Sequence, residues 1–149
     1  MASMLNDPMI LRQIIMDHYE YPRNHELTKQ TQSREKHMAS DSCIDDIRVQ
    51  AKIEDGIIDD IRFDGVACTI STASTSIMSD LLKGKTLAEA KDIIANYYQM
   101  IDQSPYDEDL LEEAVAFHTV GSQANRIKCA TIGWKAIEDL IAENEAKHE

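Results

Sequence analysis

Three cysteines, Cys43, Cys68 and Cys129, stand among small, hydroxylated or charged neighbours, and an aspartate, Asp45, follows two positions after the first. Structural cysteines usually hide among large apolar side chains, where burial keeps the thiol protonated and inert. These three have no such surroundings. Three thiolates and one carboxylate could close a four-coordinate metal site of the kind zinc prefers. The spacing matches no compact zinc-finger pattern, so spacing alone leaves two readings open, a metal site and three ordinary, partly buried thiols. Local context favours the metal. Cys68 is followed by Thr69, Ile70, Ser71 and a helix-forming run, and the unpaired N–H groups at a helix start stabilise an anionic sulfur. Cys129 comes after Arg126 and Lys128, two of only 15 basic residues against 27 acidic ones. Taken singly, those cations read as solvated surface; beside a thiol they favour the thiolate.

Asp7 as N-cap, Pro8 in the first turn and apolar residues at helical spacing predict a helix from about Pro8 to Tyr19, ended by Pro22. Arg23 to Ser42 is polar and weakly patterned, with room for a short edge strand. Ile47, Val49, Ala51 and Ile53 alternate with polar residues, the signature of a strand with one buried face. Asp55-Gly56 is a hairpin turn, and Ile57 to Asp64 returns as the partner strand with Ile57, Ile61 and Phe63 on one face. A helix follows from Ser71 to Gly84. Thr86 and Glu89 form a capping box for another. A shorter helix is expected near Leu110 to His118, a loop from Gly121 to Asn125, and a last helix from near Cys129. This is an α+β pattern, a small antiparallel β-sheet with helices packed on it, in a single domain over residues 1–149. All three cysteines are expected at junctions between elements, where rigid scaffolds present chemistry.

Whole-chain quantities narrow the function classes. Hydrophobic residues make up 43% and charged residues 28% of the 149, ordinary for a globular chain. The net charge of -12 repels phosphate backbones, so nucleic acid is not an expected partner. No apolar run spans a bilayer, and Asp7, Arg12 and Asp17 interrupt any signal-peptide pattern, so the expected location is cytoplasmic, with no membrane partner. An odd cysteine count argues against a disulfide framework. His18 falls on the apolar side of the first helix and reads as a packing residue. His25, His37 and His118 read as exposed, and Trp134 as a core or partner-facing aromatic. A cysteine hydrolase built on Cys129 and His118 lacks an orienting third group.

The run from Gly65 to Ser74 around Cys68, the run from Arg126 to Thr131 around Cys129, and Cys43-Ile44-Asp45 together resemble the U-type iron–sulfur cluster assembly proteins. Met16 to Asn24 is similar to that family's opening segment. The long interval between Cys68 and Cys129 looks like the SufU branch; IscU-type scaffolds have a shorter interval and a His before the third cysteine, where this chain has Lys128. The resemblance implies a SufE/IscU-like fold and a zinc site made by Cys43, Asp45, Cys68 and Cys129. It also implies a SufS-type cysteine desulfurase as partner, which lends a His to the metal in place of one cysteine. The cysteine so released accepts persulfide sulfur, and by similarity it is Cys43. The implied activity is that of a zinc-dependent sulfurtransferase handing sulfur to downstream iron–sulfur assembly proteins. The alternative is a scaffold, because the same donors suit a transient 2Fe–2S cluster. Arg126, close to Cys129, is placed to steer or anchor the sulfur donor. The family has Gly where this chain carries Ile44, and Asp46 is a substitute ligand only if its strand faced the other way.

Overall fold

The structure, a computed structural model, describes residues 7–27, 34–39 and 44–147. Helix α1 spans Pro8–Glu20, with the Asp7 carboxylate accepting from the Met9 N–H at 2.9 Å. Strands β1 (Arg34–Ala39), β2 (Asp46–Glu54) and β3 (Ile57–Val66) form one antiparallel sheet in the order β1-β2-β3. Helices α2 (Thr69–Leu82), α3 (Leu87–Ile101), α4 (Glu108–Leu111) and α5 (Ala124–Lys147) follow, with 3₁₀ turns at Glu112–Phe117 and Val120–Ser122. The α+β architecture is therefore the one the sequence predicts.

Inward residues of the sheet, Ile47, Val49 and Ala51 from β2 and Ile58, Ile61 and Phe63 from β3, are buried. They pack under α2 and α5, which cover one face. The other face carries cross-strand and neighbouring charge pairs, Arg48 with Glu35 at 2.9 Å and Arg62 with Asp60 at 2.7 Å. Burying about 25 cal/mol per Å² of apolar surface on one side, with solvated charges on the other, fixes which way the sheet turns. α2 lies at the centre of the molecule: every residue from Ala73 to Ser79 is buried.

Several local readings change. The polar stretch does contain a strand, β1, which pairs with β2 from Arg34↔Ala51 to Ala39↔Asp46. Its pattern is faint because an edge strand buries only part of one face. In β3 the inward residue is Ile58, and Ile57 is 43% exposed. Pairing jumps from Lys52↔Asp60 to Ile53↔Ile58, so one extra residue on β3 resets the alternation. The predicted helix at 110–118 is split, because Glu112 takes φ 46, a left-handed value that ends α4 and starts a 3₁₀ turn. The last helix begins at Ala124, so Cys129 stands in its second turn and not at a junction. The capping box is present, with Glu89 N–H donating to Thr86 Oγ1 at 3.1 Å and Thr86 N–H to Glu89 Oε1 at 3.2 Å.

Candidate metal centre

Asp45, Cys68 and Cys129 come together although they are far apart in sequence: a carboxylate oxygen and the two sulfurs all lie within 4.8 Å of one another. Cys43 lies outside the described residues. Asp45 immediately precedes β2 and is 2% exposed, while Asp46 opens the strand, exposed and bonded to His37 Nε2 at 2.5 Å. Strand alternation sends the first inward and the second to solvent.

Cys68 follows the end of β3 and is the N-cap of α2. Its sulfur takes the place usually held by a serine or aspartate oxygen, accepting from Ser71 N–H at 3.5 Å. Its own N–H donates to Asp45 Oδ1 at 2.9 Å. Gly65 makes this approach possible. It has φ +132, and a Cβ there would lie 2.2 Å from the Asp46 carbonyl oxygen and 2.8 Å from Ile47 Cα. The hairpin can therefore bring Asp45 against Cys68 only with glycine at this position.

Cys129, 7% exposed, arrives on α5. One turn later Gly133 is pressed onto Thr75 of α2, whose Oγ1 would be 2.4 Å from any Cβ at that position. This close crossing sets Cys129 beside the start of α2. The crossing is locked further along. Ser74 Oγ and Tyr97 Oη both donate to the Ala130 carbonyl at 2.6 Å, and Trp134 Nε1 donates to Ser74 Oγ at 3.0 Å. Trp134 is wholly buried and stacks on Tyr97 with centroids 3.8 Å apart. It is a core residue. Burial pushes the Tyr97 phenol well above its usual range, so it stays a neutral hydrogen-bond donor.

The donor set suits a thiophilic ion. Tetrahedral zinc, with Zn–S near 2.3 Å, needs sulfurs about 3.8 Å apart, compatible with the observed cluster. A buried carboxylate beside two sulfurs is a concentration of acceptors that a cation satisfies. Arg126 is exposed and one turn ahead of Cys129 on the same helix, hence on the same side. Ile44, 66% exposed, lies next to Asp45 on the chain. His18 serves packing between elements. It is 1% exposed and lies between Ser76 Oγ at 2.8 Å and Glu113 Oε1 at 3.4 Å. Local sequence does not single out Ser71, Gly65 and Gly133 as parts of the site. The only signal for them was their position within or one turn from the cysteine motifs.

The NifU-like N terminal domain model matches residues 10–149. The zinc-dependent sulfurtransferase SufU of Bacillus subtilis (strain 168) is 36% identical over 146 residues, 97% of this chain and 98% of that protein. The iron-sulfur cluster assembly scaffold protein IscU of Streptococcus pyogenes serotype M1 is 32% identical over 130 residues, 86% of this chain and 80% of that protein. Among solved structures, a candidate iron–sulfur cluster assembly scaffold for the SUF system from Fervidobacterium islandicum AW-1 superposes with a TM-score of 0.76 at 29% identity. That match covers 85% of this chain and 92% of the other.

Proposed function

The chain belongs to the NifU-like N-terminal domain family, with SufU- and IscU-type relatives, and from that premise we propose that it is an iron–sulfur cluster assembly protein working as a zinc-dependent sulfur carrier. The observation that supports this reading most is the convergence of Asp45, Cys68 and Cys129. Cys43 completes the proposed ligand set; only Ile44 separates it from Asp45 in sequence, so two backbone steps limit the span to about 7 Å. Zinc in such a site is a redox-inactive Lewis acid that keeps its sulfur ligands as thiolates.

The protein's own part is to present one thiolate and hold the others. The Cys43 thiolate attacks the outer sulfur of a cysteine persulfide on a SufS-type desulfurase. A new S–S bond to Cys43 forms as the donor's S–S bond breaks, and the donor cysteine leaves as a thiolate. One sulfane sulfur moves with no net oxidation or reduction. Asp45, Cys68 and Cys129 stay in place, and Arg126 attracts the anionic donor. The sulfur then passes to downstream assembly proteins.

Replacing Cys43 by Ala should abolish persulfide acceptance from a desulfurase, measured by mass shift of the chain, while circular dichroism stays unchanged. Full acceptance in Cys43→Ala would remove Cys43 from this role. A second reading draws on the IscU relatives named as scaffolds: the same residues hold a nascent 2Fe–2S cluster. Reconstitution with iron and sulfide, followed by transfer of an intact cluster to an apo-protein, would favour it over the carrier.

A further inference from the structure

Ser71 touches all three residues of the cluster. It is fully buried at the third position of α2. Its N–H donates to Cys68 Sγ at 3.5 Å, and its Oγ lies 3.6 Å from that sulfur. The same Oγ is in short contact with Asp45 Oδ2 and stands 3.0 Å from the Cys129 carbonyl oxygen. A hydroxyl has one proton to give, and the carboxylate, the carbonyl and the sulfur are all acceptors. The charge-assisted bond is the strongest of the three, so the proton goes to Asp45.

Other buried hydroxyls of α2 serve packing. Ser74 bonds the α5 backbone and Trp134, and Ser79 Oγ donates to the Ser76 carbonyl at 2.7 Å. Ser71 alone among these reaches the cluster. With Cys68 N–H on Oδ1 and Ser71 O–H on Oδ2, both oxygens of Asp45 are tied to the first turn of α2. The carboxylate torsion is otherwise soft, and one bond would leave it free to swing. Held by two, the carboxylate plane is fixed, with one of its oxygens within 4.8 Å of both sulfurs.

We infer that Ser71 is the positioning residue of the metal centre, fixing Asp45 as an oxygen ligand without itself binding the ion. This rests on the metal-centre reading above. It explains how a hard oxygen donor can be kept aimed among soft sulfurs, since hydrogen-bonded partners of metal ligands commonly set ligand orientation.

The test is metal binding by the full chain, reduced and metal-free at the start. Co²⁺ titration and Zn²⁺ competition against a chelator are run on wild type, Ser71→Ala, Asp45→Asn and the double variant. Ser71→Ala should weaken binding by about 10–100-fold. In the Asp45→Asn background the same change should cost less than about twofold, because the residue through which Ser71 acts is already gone. The visible Co²⁺ ligand-field bands of Ser71→Ala should move toward those of Asp45→Asn, while sulfur-to-metal charge-transfer intensity stays. Ser71→Thr, which keeps the hydroxyl, should bind as wild type and stands in should the alanine variant not fold. Equal losses in both Asp45 backgrounds would show a hydroxyl that does not act through Asp45, and equal weakening by Thr and Ala would show that the hydroxyl is not the group that matters; either overturns the inference. Tight wild-type binding unchanged by Ser71→Ala would overturn Ser71's role alone. A wild-type chain that takes up no Co²⁺ would overturn the centre and Ser71's role together.

Discussion

Asp45 and Asp46 are neighbours with opposite surroundings, one buried against Cys68 and the other in solvent against His37. The pleat of a strand is enough to separate them, and it decides which carboxylate can serve sulfur chemistry. Arg126 acts at the same scale. It is exposed, one turn from Cys129, on a chain that carries a net charge of -12. On the proposed function, a cation there would give an anionic persulfide a local attraction against an acidic background. Arg126→Ala should therefore slow sulfur acceptance from the desulfurase and flatten its salt dependence, leaving zinc affinity unchanged. Acceptance at the wild-type rate across a salt series would sink the assignment.

Elements are joined by a small number of polar contacts that hydropathy does not reveal. His18 ties α1 to α2 through Ser76 and to the 3₁₀ turn through Glu113. Arg23 N–H donates to the same Ser76 oxygen at 2.8 Å. The network closes when Ser76 donates to His18 Nδ1 and His18 Nε2 donates to Glu113. The hydrogen bond from His18 holds the Glu113 carboxyl below its ordinary range. A depressed carboxylate pKa contributes stability that is present above the unfolded value, about 4.3, and is lost as pH falls through the folded one. Thermal melts should thus show wild type losing stability on acidification below about pH 5 more steeply than Glu113→Gln. Parallel curves for the two chains would contradict the link.

The same elements show what could be read from residues alone. Period-two alternation in β2, the Asp55-Gly56 turn and the Thr86/Glu89 box were legible because each depends on neighbours in sequence. The extra residue in β3, the left-handed Glu112 and the early start of α5 were not, because tertiary pairing sets them. At the site, the family resemblance implies Cys43, Asp45, Cys68 and Cys129; the last three lie together, and Cys43 falls outside the described residues. Ser71, Gly65 and Gly133 matter through close approach in space, which no local pattern encodes.

At the scale of the whole molecule, three separate parts of the chain must meet: the segment entering β2, the link from β3 to α2, and the second turn of α5. The hairpin delivers Asp45, the N-cap delivers Cys68, and the crossing of α5 over α2 delivers Cys129. No helix among the described residues is long and apolar enough to cross a membrane. A metal bound at this junction would stabilise the whole fold by mass action, since only the folded chain brings the ligands together. Metal content per chain, by elemental analysis of protein purified without added metal and kept reduced, tests the zinc centre. About one zinc per chain is expected, as a closed four-ligand site requires. Iron with matching sulfide and little zinc, or no metal at all, would contradict it.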